Sequence, residues 1–421
     1  MKQYILSLNS GSSSLKFNLF ERDNENILRS HLSGIVQEVG NEEKSRLRYD
    51  IGGCRHQKDI PVRTHNEALI LLFRELEKNN VPMESICSVG HRVVHGGERY
   101  NASVLIDESV IQTIKELIPL APLHNAPNLT GIEEAMKLLP KIPHVAVFDT
   151  AFHADMPEHA YRYAIPEEWY RGYGVRRYGF HGTSHLFVAK RAARFLNIPY
   201  KEFNGITVHL GNGCSITKIR NGKSVDTSMG FTPLEGLVMG TRTGDIDPAL
   251  ISHVAERLVE DKGISLAEAY RSVMQALNKQ SGLKALTGVS MMQEIRKRAM
   301  DGDAAADAAL SIYAYRAAKY IGAYLATLPE THAIVFTAGI GENEGNIRAR
   351  ILSYLENLSF EIKEENSYKK QEMEVARSSK MGGTPVSVLV IPTDEEIVIG
   401  YDALFIGCLK QGAPEVYPFE K

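Results

Sequence analysis

Between Thr227 and Pro248 the chain alternates glycine with hydroxyl, arginine and carboxylate residues at a density that packing alone does not require. Gly230, Gly236, Gly240 and Gly244 permit close backbone approach or positive φ. Arg242 adds a planar donor fork that matches a carboxylate or a phosphate. The segment reads as an anion-handling site rather than a Gly-rich surface loop. A second polar turn, Asn9-Ser-Gly-Ser-Ser-Ser-Leu-Lys16, lies near the other end of the chain between two strand-like runs. Successive N–H groups and hydroxyls in such turns converge on anions.

Further candidates sit in glycine-flanked loops. Arg92 and His95 lie in Gly90–Glu98, His181 and His185 in Tyr178–His185, and His209 with Leu210 leads into Gly211-Asn-Gly213. A single histidine in such a place is most simply a hydrogen-bonded structural residue, and His91, His95 and His185 are read that way. Several histidines sharing these loops with two arginines favour stabilisation of charge on a transferring phosphoryl group. Asn9, Asp149 and Glu395 are loop oxygen donors, and spacing alone reads Glu395 as a turn or cap residue. Mg²⁺ takes few protein oxygens plus water and phosphate, so a sparse set is adequate. The chain has no G-x-x-x-x-G-K-[ST] and no set of protein-kinase motifs, which excludes those two phosphate-binding designs.

These residues need a frame. Tyr4–Leu8 and Leu15–Phe20 predict a strand, turn and strand, and Gly205–Leu210 with Cys214–Ile219 repeats the pattern, followed by a hairpin turn at Asn221-Gly222. A second echo pairs the run His144–Phe148, ending at Asp149, with Ala333–Phe336, ending in Thr337–Asn343. Helical spacing covers His65–Asn79, Asn128–Leu139, Ser184–Asn197, Asp247–Asp261, Ser265–Asn278 and Asp303–Leu328. The polar stretch Ile362–Lys380 is expected as a solvated helix and connector, and Pro392–Glu396 is expected to cap a final helix through about Leu409. Strands alternating with helices give an α/β architecture.

With 421 residues, two domains are the natural prior. The expected division is an N-terminal lobe, 1–150, joined by the C-terminal helix 394–421, and a C-terminal lobe, 151–393. A net charge of −3 with no basic block gives no support to nucleic-acid or electrostatic membrane binding. Cys54, Cys87, Cys214 and Cys408 lack C-x-x-C spacing, and no apolar run spans a membrane, which together fit a cytoplasmic protein with reduced thiols.

The combined motifs resemble the acetate kinase family: Asn9–Lys16, Gly90–Glu98, Phe148–His153, Tyr178–His185, His209–Gly213, Asp226–Pro248, Phe336–Asn343 and Pro392–Glu396. The resemblance implies a duplicated, two-lobed actin-like ATPase (ribonuclease H-like) fold with a nucleotide cleft between the lobes. It implies Asn9 and Glu395 at Mg²⁺, with Mn²⁺ as the alternative ion, and Asp149, His181, Arg242 and Arg92 as catalytic residues. Ser12, Ser14, Lys16, His209, Leu210, Gly211, Asn212, Gly213, Gly339, Ile340, Gly341, Glu342 and Asn343 fall on its nucleotide-binding positions. Arg92, Val94, Leu123, Phe180 and Pro233 fall on its acyl-binding positions. The implied reaction is reversible phosphoryl transfer between ATP and acetate, giving acetyl phosphate and ADP in a homodimer. Propionate kinase and a non-catalytic actin-like nucleotide-binding scaffold are the alternatives. This chain departs from the family in Thr287–Glu294, where Met292 and Glu294 replace the aspartate and arginine expected at adenosine, and in Asp394, commonly asparagine. The expectation is relaxed selectivity among nucleotides.

Overall fold

The computed structural model describes residues 2–122, 124–363, 371–378 and 385–421. They divide into two compact units, Met1–Ala154 with Asp394–Lys421, and Asp155–Thr393.

The first unit is built on an eight-stranded sheet of order β5-β4-β3-β2-β1-β6-β8-β7. Its strands are β1 (Gln3–Ser10), β2 (Ser14–Arg22), β3 (Leu28–Gln37), β4 (Arg46–Ile51), β5 (Cys54–Asp59), β6 (Ile86–Val93), β7 (Val104–Leu105) and β8 (His144–Phe148). β1 to β5 form an antiparallel meander, and β6 and β8 join parallel to β1. Period-two alternation explains β2, where Leu15, Phe17 and Leu19 are buried and Lys16 faces outward. Helix His65–Lys78, capped by the Thr64 hydroxyl, lays Leu69, Leu72 and Leu76 into that core. The C-terminal helix Glu395–Asp402 packs close on β6: a Cβ at Gly90 would lie 2.6 Å from Ile399 Cγ2, so only glycine admits the helix there.

The second unit carries a seven-stranded sheet of order β11-β10-β9-β12-β15-β14-β13. These are β9 (Gly205–Leu210), β10 (Cys214–Arg220), β11 (Lys223–Thr227), β12 (Ala333–Thr337), β13 (Phe360–Ile362), β14 (Met373–Ser378) and β15 (Ser387–Val390). β9, β12 and β15 are completely buried, as strands covered on both faces must be. Five strands follow the same plan in both units: three antiparallel strands, then two parallel ones, β3-β2-β1-β6-β8 and β11-β10-β9-β12-β15. The duplication is real, with one correction. β12 lies beside β9 as β6 lies beside β1, so its counterpart is β6, and the counterpart of His144–Phe148 is β15. Similar loop composition after β8 and β12 misled the sequence comparison, because strand order is set by pairing partners.

A second correction concerns Ile362–Lys380. The described part is no helix: β13 and β14 form an antiparallel edge, and β14 pairs with β15. Met373, Val375, Ala376 and Ser378 are buried and Arg377 is exposed. A register shift between Glu374 and Ala376 breaks the strict alternation by which a strand is recognised. Residues 364–370 and 379–380 of that stretch lie outside the described residues.

The remaining helices lie within a few residues of their expected places: Asn125–Leu138, Gly182–Phe195, Ala249–Lys262, Leu266–Lys279 and Ala304–Thr327. Ser265 and Asp303, expected as first helical residues, are N-caps. Among the described residues no helix is long and apolar enough to cross a membrane.

Candidate active site

In the first unit the candidates gather at the C-terminal ends of the parallel strands, where open α/β sheets present ligand sites. Asn9, next to last in β1, lies opposite Lys16 on β2, and between them Gly11 N donates to Ser14 O at 2.8 Å, closing a turn that exposes Ser12. Lys16 is ion-paired to Glu396. Burial opposes the charge on Lys16, but Glu396, with Glu395 and Asp394 behind it, holds its pKa above the ordinary value.

Arg92, near the end of β6, grips Asp149, just after β8. Nε donates to both carboxylate oxygens at 2.9 and 3.1 Å, and Nη2 donates at 2.6 Å. Asp149 is 1% exposed, so the pair is a charge-assisted fork taken out of water. Glu395 Oε2 lies 3.9 Å from Arg92 Nε. Burial disfavours the guanidinium charge, yet Asp149 and Glu395 lift the Arg92 pKa further above its ordinary value. Glu395 opens the C-terminal helix, which Asp394 caps by accepting from Ile397 N at 2.9 Å. Burial pushes the Asp394 carboxyl up to about 6.

Two residues that sequence reasoning missed hold this edge together. Asn125 accepts from His95 N and donates to His95 O, both at 3.0 Å. Asn128 accepts from Val94 N at 3.0 Å and donates to Ser10 O at 2.6 Å. The signal was present as two asparagines spaced i, i+3 at the head of a helical pattern, which places them on one face. Val94 is 8% exposed, and Leu123 lies outside the described residues.

In the second unit His181 has φ 58° and caps helix Gly182–Phe195. A non-glycine residue held there is the kind of strain that collects at functional sites. Its Nδ1 shares a hydrogen bond with Ser215 Oγ at 2.8 Å, and its ring stacks on His209 at 4.1 Å. His209 is tied to Ser184 Oγ at 2.8 Å, and His185 bridges Thr207 and Ser215. Gly213 brings His181 and Arg242 together: a Cβ there would lie 3.3 Å from His181 Nε2 and 3.5 Å from Arg242 Nη1. Asn212 O accepts from Gly240 N at 3.1 Å, joining the 211–213 turn to the 227–248 segment.

That segment is irregular throughout 228–248. Gly236 and Gly244 take positive φ, while Gly230 and Gly240 leave room for Glu235 and Asn212. Arg177, also missed, ties it down by donating through Nη1 to the carbonyls of Thr227, Ser228 and Met229 and through Nη2 to Glu235. Pro233 presents its carbonyl to Arg242 Nη1 at 2.9 Å, and Phe180 is 1% exposed. Arg242 forms no ion pair among the described residues. Burial lowers its pKa, yet a guanidinium stays protonated at neutral pH. A half-buried guanidinium without a carboxylate partner is placed to receive an anion.

Gly339–Asn343, expected as a loop, belongs to a short helix, Ala338–Asn343, entered through Ala338 at φ 65°. Buried Arg348 donates to Gly341 O and Glu342 O at 2.7 and 2.9 Å, and Glu342 accepts from Thr393 N. Met292 is 5% exposed and buried with Ile295, whereas Glu294 faces solvent. Of the two residues at the family's adenosine positions, Glu294 is therefore the one whose side chain reaches the surface.

No group of three or more His, Cys, Asp or Glu side chains suited to a metal occurs among the described residues. The hard oxygens of Asn9 and Glu395 fit a cation that draws its remaining ligands from water and phosphate.

Residues 4–401 match the model of the acetokinase family. The acetate kinase of Thermosipho africanus is 48% identical over 94% of this chain and 96% of its own length. Two crystal structures are 39% identical. A propionate kinase from Francisella tularensis superposes with TM-score 0.85 over 94% of this chain and 98% of its own, and Porphyromonas gingivalis acetate kinase with TM-score 0.84 over 96% and 99%. The fold is the two-lobed actin-like ATPase fold, and the chain belongs to the acetokinase family.

Proposed function

We propose that this enzyme, a phosphotransferase with a carboxyl group as acceptor, moves the γ-phosphoryl group of ATP to acetate and back, through acetyl phosphate and ADP. The observation that carries the reading is Arg242, a half-buried guanidinium without a carboxylate partner among the described residues, beside His181 and the Gly211–Gly213 turn. An ordinary carboxyl group is ionised near neutral pH, so the acceptor needs no strong base. The difficulty is to bring two anions into line, which positive charge and alignment solve. In this reading Arg92 meets the acid's carboxylate, and Asp149 orients Arg92 rather than removing a proton. Arg242 and His181 stabilise charge on the transferring group.

Asn9 and Glu395 are proposed to hold Mg²⁺, which when bound neutralises phosphate charge. Ser12, Ser14, Lys16, His209–Gly213 and Gly339–Asn343 are proposed at the nucleotide. Val94, Leu123, Phe180 and Pro233 are proposed around the acyl group. A cytoplasmic homodimer belongs to the same reading, checked by cell fractionation and sedimentation.

The test is acyl phosphate formation from acetate, propionate and butyrate with ATP, GTP or pyrophosphate, with and without EDTA. Metal-dependent product from acetate and ATP is expected, and absence of any acyl phosphate overturns the reading. Preference for propionate is the second reading, favoured by the equal likeness to a propionate kinase. One methylene in an apolar pocket is worth only about 1–3 kcal/mol, so a few contacts decide it.

A further inference from the structure

We infer that Asn128 is a positioning residue that fixes the β1–β2 turn and the acyl-side backbone at Val94 in one geometry. The inference rests on the proposed roles of these two loops. Asn128 sits in the first turn of helix Asn125–Leu138, is 3% exposed, and spends both ends of its amide on backbone, at the end of β1 and just past the end of β6. Its Oδ1 accepts from Val94 N at 3.0 Å, and its Nδ2 donates to Ser10 O at 2.6 Å. Both groups lie past the end of the parallel β1–β6 pairing, which stops at Leu8 opposite His91: Ser10 is the last residue of β1, and Val94 follows the end of β6 at Val93. Asn128 thus supplies the hydrogen bonds that a sheet would otherwise provide, and it does so to both loops with one planar, rigid group.

A second feature of the same helix supports this. A Cβ at Gly131 would lie 2.1 Å from Ser10 Oγ. The helix therefore approaches the turn so closely that glycine is required one residue short of a full turn after Asn128. Asn125 uses the same amide device on His95, so three anchors, Ser10 and the adjacent pair Val94 and His95, hang from one helix face. Displacing Asn128 moves the turn that carries Ser12 and Ser14 together with Val94, two residues after Arg92 in sequence.

The experiment compares the purified wild-type enzyme with Asn128→Ala and Asn128→Asp. Asn128→Asp keeps the acceptor for Val94 N but sets a carboxylate oxygen against Ser10 O. Ile132→Val, buried on the same helix, reports what lost packing alone does. Readouts are KM for ATP and acetate, kcat, the propionate-to-acetate ratio of kcat/KM, ADP affinity by calorimetry, and Tm. Asn128→Ala is expected to raise both KM values about tenfold, the worth of a lost buried hydrogen bond, and to shift the acid ratio. Asn128→Asp should weaken ADP binding while moving the acid ratio less. Ile132→Val should lower Tm and leave both KM values and the ratio alone.

A lowered Tm in Asn128→Ala with unchanged KM values and ratio overturns the inference. Should that variant not fold, Asn128→Asp with wild-type ADP affinity overturns it equally. A wild-type enzyme that makes no acyl phosphate defeats the functional reading instead, and ADP affinity then still decides whether Asn128 sets the turn.

Discussion

Arg92 and Asp149 form a three-contact ion pair in which the carboxylate, 1% exposed, has no second cation among the described residues. Removing Arg92 should therefore cost more than a donor. Arg92→Ala is expected to lower turnover by about 10²–10³, the usual cost of losing one transition-state donor. It should also destabilise the fold by about 3–5 kcal/mol, because a buried charge is left unpaired. The double variant Arg92→Ala/Asp149→Ala should recover much of that stability and none of the activity. Urea unfolding alongside steady-state kinetics checks this, and a single variant as stable as wild type contradicts the pairing argument.

Arg242 offers the opposite balance. It donates to Pro233 O but neutralises no carboxylate, so its loss leaves no orphaned charge. Arg242→Ala should lose about 10²–10³ in kcat with a small change in Tm. Near wild-type turnover at saturating substrates would remove Arg242 from the chemistry.

Val94 is nearly buried beside the Asn128-held backbone. Val94→Ala enlarges the proposed acyl site and should move kcat/KM toward propionate or butyrate by roughly the 1–3 kcal/mol of a methylene contact. An unchanged ratio among the three acids would exclude Val94 from the pocket.

Nucleotide choice is tested at α-helical Met292–Met300. Relaxed discrimination between ATP and GTP is expected, since Glu294 supplies no donor for a base or ribose. Because Met292 is buried, Met292→Asp would sequester a carboxylate and unfold the region, so Glu294→Arg alone is the cleaner probe. Strong ATP preference in the wild type, with no change in Glu294→Arg, would reduce the departure to a local sequence difference.

Stability should fall on acidification below neutrality. Burial lowers the pKa of His91, with its bonded neighbour His144 adding to the effect, and burial alone brings His95 down to about 4. In the unfolded chain these rings protonate near pH 6.5, so between about 6.5 and 4 the unfolded state binds more protons and stability is lost as pH falls. His95 alone accounts for roughly 3 kcal/mol across that window. His95→Gln should flatten the dependence of urea midpoint on pH, and parallel curves for variant and wild type would refute its part.

The sequence by itself determined what short-range patterns encode. Alternation in Leu15–Phe20 and helical spacing in His65–Asn79, Ser265–Asn278 and Asp303–Leu328 are local properties of a few consecutive residues. The candidate residues were legible for the same reason, since Asn9–Lys16, Gly90–Glu98 and the 227–248 segment each carry their chemistry within one short run. Tertiary structure decided the partnerships. That β12 pairs with β9 in the place β6 takes beside β1, that 373–378 is a strand held between β15 and β13, and that Met292 is buried depend on residues far apart in the chain. The partners of Asn128 and Arg177 were decided there too, because each acts through backbone carbonyls and N–H groups, which every residue possesses: the spacing of Asn125 and Asn128 marks a shared helix face but not the loops they hold.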